Sequence, residues 1–406
     1  MINCQKKTKP IYILVEVGQR EYNSRLQLAR KLSSLGYIII FGQKSNILDF
    51  ISIGILPHGI LFDKCAQISS TKKGRNIIKN GSILTVLDEE GIHTFKDQVA
   101  HRSGNFNFID TIFFNNLFHK ILWFKLFKNS PNQPNRKILS GNPRINKIDI
   151  SEANKNYESN LWNANKKKSL TIILIGNFRT EINNPFIDED LEAKETILRF
   201  MSKVRKISWI NAIYRPHPSE NEIISNYAKS KGIKVISGGD IKDAVKGCDV
   251  IVTHRCTSNI EFALSGKVLL SYYSGKNKNN FTRQASLRFE KVSTLIKHLE
   301  NILNDISKID IKRMNRERAR LYKWFSAPDD SMNTIVKIIK EISHKDAKKT
   351  NFIFLGIRVW VSNFLSAFAN QLLYSRIYEY SKYRTGDETN NLFSLIKKNT
   401  FIKLIK

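Results

Sequence analysis

The sequence predicts an α/β chain made of two doubly wound domains, each a parallel sheet covered by helices. Three observations carry this. Short apolar runs recur along the chain, separated by segments with helical periodicity, which implies parallel strands joined by right-handed crossovers. The series is interrupted once, at 143–169, by a polar stretch rich in Asn and Lys, and then resumes. Finally, 406 residues exceed what one ordinary core organises.

The first series runs from residue 11 to about 142. Ile11-Tyr12-Ile13-Leu14-Val15-Glu16-Val17 is strand-like, and the stretch Arg20 to Leu35 places Leu26, Leu28, Ala29, Leu32 and Leu35 at helical spacing. Further strands are expected at Tyr37–Phe41, Gly59–Phe62, Ile83–Leu87, Thr111–Phe114 and Lys137–Ser140. The second series opens at Leu170–Ile175 and continues with strands at 210–214, 233–236, 249–252 and 268–272. The expected domains are therefore 1–150 and 151–300, followed by a basic helical segment at 301–350 that packs across them and an amphipathic tail at 351–406. The basic segment carries Lys312, Arg313, Arg316, Arg318, Arg320 and Lys323, which suit either a solvated helix face or a surface for membrane or glycan. In the tail, Phe352 to Tyr374 is apolar apart from one stripe, Arg358, Ser362, Ser366 and Asn370, at i, i+4 spacing. That stripe favours a helix lying on a membrane or on the core over a spanning one. The terminal Phe393–Lys398 and Phe401–Lys406 mix apolar and cationic residues and suit anchoring on acidic lipid.

Lys and Arg number 66 against 36 Asp and Glu, a net charge of +30. This follows either from a composition rich in Lys, Asn and Ile or from attraction to anionic partners such as headgroups, nucleotide sugars or phosphorylated glycans. No zinc-finger spacing or RNA-binding aromatic signature points to nucleic acid. The four cysteines, Cys4, Cys65, Cys248 and Cys256, form no CxxC pair, as expected of a reducing compartment. The first residues lack the apolar stretch of a signal peptide, so the body is expected to be cytoplasmic. Neither a GxGxxG fingerprint nor a P-loop is present, which disfavours a dinucleotide oxidoreductase and a kinase-like NTPase.

Chemistry gathers at the carboxyl ends of strands in open α/β sheets, and several motifs stand there. Arg215-Pro216-His217-Pro218-Ser219-Glu220 follows the run 210–214. The two prolines pin the loop, so His217 offers its ring in a fixed direction, to grip a phosphate or ribose or to cap the strand end. Arg215 is a candidate partner for phosphate, and Glu220 is placed to orient either residue. Thr257, Ser258 and Glu261 follow the run 249–252; Ser258-x-x-Glu261 reads as a capping box, which also exposes backbone N–H groups to a phosphate. Asp88, Glu89 and Glu90 follow the strand 83–87 and are closed by Gly91. Crowded carboxylates raise one another's pKa, so the cluster is either a source of a catalytic acid or a solvated turn. Glu16 and Arg20 flank the first strand end, and Gly141-Asn142-Pro143-Arg144 closes the first domain as a turn or as a hinge lining a cleft with Asn142 and Arg144. His93 and His101 lack metal-ligand spacing, and Asp188-Glu189-Asp190 is expected at the surface. No metal or other cofactor is expected.

These motifs in this order, Glu16…Arg20-Glu21, Leu87-Asp88-Glu89-Glu90-Gly91, Gly141-Asn142-Pro143-Arg144, Arg215–Glu220 and Thr257-Ser258…Glu261…Gly266-Lys267, resemble the bacterial surface carbohydrate biosynthesis proteins. That group is similar to the retaining β-Kdo transferases of capsule and lipopolysaccharide assembly. The resemblance covers roughly residues 11–300 and agrees with the GT-B architecture of two doubly wound domains facing a cleft. It implies a CMP-activated 3-deoxy-ulosonic acid (Kdo or a related acid sugar) as donor, a glycan or lipid-linked glycan as acceptor, and metal-independent transfer. It further implies that His217 and Ser258 contact the CMP phosphate, that Glu261 lies near the ribose, and that Asp88, Glu89 and Glu90 supply an acid or base. Asn146 departs from the pattern, standing where an acidic residue is expected, and no motif places a retaining nucleophile. Location on the inner face of the cytoplasmic membrane follows from such acceptors. Two rival readings are a CDP-polyol phosphotransferase of the teichoic-acid type and a non-catalytic GT-B-like assembly partner.

Overall fold

The run Ile11–Val15 forms β1 and is buried at all five positions, as a strand covered on both faces must be. Its side chains alternate between two cores. Ile11, Ile13 and Val15 face one, and Tyr12 and Leu14 face the other. The same logic shapes the remaining parallel strands of the first sheet: β2 (Ile39–Gln43), β3 (Ile60–Asp63), β4 (Ile83–Asp88), β5 (Thr111–Phe114) and β6 (Arg136–Leu139). The computed structural model describes residues 9–16, 18–88, 106–129, 133–143, 149–176, 187–217, 220, 222–237, 241–254, 256–274, 283–325, 330–343, 357, 361 and 402–405.

Among these residues the chain divides into two units. One holds residues up to 143 together with 324–343 and 402–405, and the other holds 149–323. In the first unit the helices are α1 (Gly18–Ser34), α2 (Lys44–Ser52), α3 (Gln67–Ser70), α4 (Lys72–Lys79) and α5 (Leu117–Phe127). Ile47, Phe50 and Ile51 of α2, Ile77 of α4 and Trp123 of α5 pack on one face of the sheet, and Leu28, Ala29 and Leu32 of α1 on the other.

The second unit carries β7 (Leu170–Ile175), β8 (Ile210–Arg215), β9 (Lys234–Val235), β10 (Val250–Thr253), β11 (Val268–Tyr272) and β12 (Leu287–Phe289), all parallel. Its helices are α6 (Ile150–Asn165), α7 (Ile187–Val204), α8 (Glu222–Ser230), α9 (Ile241–Ala244), α10 (Ser258–Leu264), α11 (Val292–Asn304) and α12 (Ile311–Phe325). Leu170, Ile172 and Leu174 of β7, Val250 and Val252 of β10, and Phe200 and Met201 of α7 form its core with Leu295, Leu299 and Ile302 of α11. Gly266, after α10, has φ +77°, and a Cβ there would stand 2.7 Å from the Cβ of Asn156, so the turn into β11 admits only glycine.

Several expectations are corrected. Arg318, counted with the basic face of α12, is fully buried. Its Nε donates to the Ala263 carbonyl at 2.8 Å, and its Nη1 donates to Asn154 Oδ1 at 2.8 Å and to Asn315 Oδ1 at 2.9 Å. The guanidinium lies 4.3 Å from the centre of the Tyr157 ring. Burial lowers its pKa to about 10, so it remains charged at neutral pH and fastens α12 to α6 and α10. Helix α13 (Ser331–Ser343) buries Ile335, Val336, Ile339 and Ile342 against the core of the first unit, with α1. Residues 402–405, expected at a lipid surface, form β13 (Ile402–Ile405), which pairs antiparallel with β2 at the edge of the first sheet. The expected tail helix 352–374 lies outside the described residues except for 357 and 361. Among the described residues no helix is long and apolar enough to cross a membrane.

Arg318→Ala is expected to destabilise the second unit by about 2–4 kcal/mol, because three acceptors lose a charged donor. Arg318→Lys restores little of this, having no planar fork. Urea denaturation of both variants checks the ranking.

Candidate functional site

The second sheet runs β12-β11-β10-β7-β8-β9. From β7 the chain proceeds outward through β8 and β9, then crosses back to β10 and proceeds the other way through β11 and β12. The order reverses between β7 and β10, and a crevice opens outside the carboxyl ends of the strands at such a point. Register aligns Arg215, Ile175, Thr253, Ser271 and Arg288 in one row across β8, β7, β10, β11 and β12. Both motifs selected from the sequence therefore leave the same edge, one on either side of β7.

On the β8 side, the backbone N–H of His217 donates to Glu220 Oε2 at 3.1 Å and the N–H of Glu220 donates to the His217 carbonyl at 2.8 Å. Glu220 also accepts a hydrogen bond from the Tyr214 hydroxyl. The carboxylate thus orients the His217 backbone and the Tyr214 phenol, and His217 stands half-buried at the strand end. Gly176, just after β7, makes room for this. A Cβ there would lie 2.6 Å from the Tyr214 hydroxyl and would collide with the Glu220 carboxylate. Burial raises the pKa of Glu220, against the opposing pull of its hydrogen bonds from Tyr214 and His217. Burial and the neighbouring Glu220 push the Tyr214 phenol upward, so it remains a donor. Arg215 is the last residue of β8 and is buried.

On the β10 side, Asn259 Nδ2 donates to Thr253 Oγ1 at 2.7 Å and to Ser271 Oγ at 3.3 Å, and all three residues are buried. This ties the start of α10 to two strand ends. The expected capping box is not formed as predicted. Helix α10 begins at Ser258, and its cap residue Thr257 is already helical, at φ −63° and ψ −29°, with no side-chain cap bond. Thr257 is exposed, Ser258 and Glu261 are half-buried, and Glu261 pairs with Lys242 at 4.0 Å.

Asp188-Glu189-Asp190, expected at the surface, is the second correction. Only Asp188 is exposed; Glu189 and Asp190 are buried in the first turn of α7. Asp190 Oδ1 lies 2.5 Å from Nε2 of the fully buried His254, which follows β10. Glu189 pairs with buried Arg283, whose guanidinium stands 5.3 Å from the Tyr273 ring. Tyr272 packs edge-on against His254 at 5.6 Å between ring centres. The sequence reading gives no site role to His254, Asp190, Arg283 or Asn259, although His254 and Asn259 lie within the segment that follows β10. His254 adjoins the chosen motif, so its position beyond a buried strand was the available signal, whereas the Asp190 partner is 64 residues distant.

In the first unit Glu16 follows β1 and is half-buried, and Asn142 is buried in the turn after β6, where Ser140 Oγ donates to the Gly141 carbonyl at 2.9 Å. Asp88 is the last residue of β4 and Arg20 lies in α1. Glu89, Glu90, His93, His101, Arg144, Pro218 and Ser219 lie outside the described residues. Among the described residues no group of three or more His, Cys, Asp or Glu side chains is arranged to hold a metal ion.

No protein-family model matches the sequence, and no curated protein matches it. Solved structures do. A protein assigned as a UDP-N-acetylglucosamine 2-epimerase, from Listeria monocytogenes, is similar with a TM-score of 0.51 at 13% identity, covering 85% of this chain and 100% of that one. A wall teichoic acid polymerase is similar with a TM-score of 0.50 at 12% identity, covering 83% and 89%. Two doubly wound parallel sheets in one chain, matched over this length, define a GT-B fold.

Because burial raises the pKa of Glu220, the folded chain keeps this proton over a range in which the unfolded chain has released it, and stability falls as pH rises through that range. Glu220→Gln is expected to flatten the fall upward from about pH 4.3, the usual glutamate value. Urea denaturation across a pH series measures the slope; an unchanged slope would remove Glu220 as its source.

Proposed function

We propose that the chain is a glycosyltransferase that takes an acid sugar, Kdo or a relative, from a CMP-activated donor and passes it to a glycan or lipid-linked acceptor in surface polysaccharide assembly. One observation carries this proposal. The His-Pro motif and the Thr257-Ser258…Glu261 motif, whose His217, Ser258 and Glu261 the ordered resemblance assigns to the nucleotide, follow β8 and β10, the neighbours of β7 on either side in one parallel sheet. In this proposal the His217 ring and the Ser258 hydroxyl approach the phosphate, and Glu261 approaches the ribose. Glu220 holds the His217 backbone in place, and the Asp88, Glu89 and Glu90 segment supplies the acid or base. The basic composition suits polyanionic partners and the acidic face of a membrane. The enzyme then works at the inner face of the cytoplasmic membrane.

Binding and transfer are tested together. CMP and CMP-Kdo should raise the melting temperature of the full chain in a concentration-dependent way, as ligands of the native state do. His217→Ala should weaken both by roughly tenfold or more, equivalent to about 1.4 kcal/mol, and should abolish transfer to a lipid-linked acceptor. Stabilisation by CDP-glycerol but not by CMP or CMP-Kdo would replace this proposal with a polyol-phosphate transferase. Glycan production that survives substitution of Glu89 and Glu90 would instead indicate a non-catalytic assembly partner.

A further inference from the structure

The first sheet runs β13-β2-β1-β3-β4-β5-β6, so its strand order reverses between β1 and β3. A second set of charged side chains stands there, and the nucleotide site does not use it. Glu16 follows β1, Lys44 follows β2, Asp63 ends β3 and Lys64 follows it. Lys44 Nζ lies 2.7 Å from Asp63 Oδ2 and 3.5 Å from Glu16 Oε2. Lys64 Nζ lies 3.3 Å from Glu21 Oε1 and 3.4 Å from Glu16 Oε1. Arg25 adds a third cation, its guanidinium 4.5 Å from the centre of the Phe62 ring.

The six charges are not equally held. Glu21 and Asp63 are buried and have structural tasks: Glu21 accepts the Glu16 backbone N–H at 3.0 Å, and Asp63 accepts the Lys64 backbone N–H at 2.8 Å. Burial works against a charged Lys44, but Asp63 and the neighbouring acids outweigh it and raise its pKa, so the ammonium persists. Lys64 is 9% exposed, and both of its carboxylate contacts exceed the roughly 2.7–2.9 Å of a charge-assisted hydrogen bond. Glu16 is 30% exposed and is reached by both lysines only at 3.4–3.5 Å. It is therefore the loosely held anion at the mouth. If it turns outward, three cations face two carboxylates. Helix α2 starts at Lys44 with no acid in its first turn and no side-chain cap, so the positive end of its dipole adds to the field.

We propose that Lys44 and Lys64 form an oxyanion-binding subsite at the strand reversal of the first unit, for a carboxylate or phosphate group of a ligand, and that Glu16 is the internal occupant which that group displaces. This does not depend on the identity of the nucleotide bound by the second unit.

The probes are sodium acetate and inorganic phosphate, titrated into the full chain at constant ionic strength with chloride as control and followed by melting temperature. Glu16→Gln should bind one of them roughly tenfold more tightly than the unaltered chain, and Lys64→Met in the Glu16→Gln background should abolish the gain. Preference for acetate assigns the subsite to a carboxylate, and preference for phosphate assigns it to a phosphoryl group. Equal affinities in Glu16→Gln and the unaltered chain, or a gain that survives Lys64→Met, would overturn the proposal. Should Glu16→Gln fold poorly, Lys64→Met alone is expected to lose anion-dependent stabilisation, and its retention would be equally decisive.

Discussion

A parallel strand can be reached only by a crossover that returns to its starting edge, and the return is right-handed. Apart from β13, which pairs antiparallel with β2, the strands of each sheet are parallel, so each of them delivers the residues after it to the same edge. Both faces of each sheet are covered by helices, which leaves no room for polar chemistry except at that edge. In such sheets the crevice lies where the strand order reverses, which is between β7 and β10 in the second unit and between β1 and β3 in the first. The positions of His217 and Thr253 in one unit, and of Glu16 and Lys64 in the other, follow from this constraint.

The buried polar groups behind these edges serve different ends. Arg318 gives its Nε and Nη1 hydrogens to neutral acceptors and lays its guanidinium on an aromatic face, which fixes a helix. His254 with Asp190, and Arg283 with Glu189, tie the first turn of α7 to the end of β10 and to the segment that leads into β12. Desolvating such groups is costly unless each finds a partner, and here each partner comes from a different element. Asn259 with Thr253 and Ser271 does the same for α10. The strand-end edge of the second unit is therefore held by a polar frame beneath the motif residues rather than by the motif residues alone.

The strands were legible because they are buried runs with clear boundaries. β1, β4, β5, β7, β8, β10 and β11 lie where their apolar residues place them. β12 is three residues long with an arginine in the middle, and its apolar signal is too short to separate from a loop. The sequence of β13 also suits a lipid anchor, because Ile402, Lys403, Leu404 and Ile405 offer the same composition to a membrane and to a sheet edge; only pairing with β2 separates the two. From sequence Glu189 and Asp190 are expected at the surface, because acidic residues in a polar stretch usually are solvated. Their partners stand 94 and 64 residues away, and no local pattern announces them.

By itself the sequence determined the fold class and the order of the strands along the chain, because burial periodicity is a local property. It also marked His217, Glu220 and Glu16 as residues at strand ends, since an apolar run that stops at a charged or proline-pinned loop is visible in one dimension. Only the tertiary structure decided which strand ends are neighbours. Strand order in a sheet is set by packing between elements far apart in sequence, and it brought β8 and β10 to either side of β7. The same packing turned Arg318, Glu189 and Asp190 inward, because the charge of a residue says nothing about whether a partner from another element awaits it.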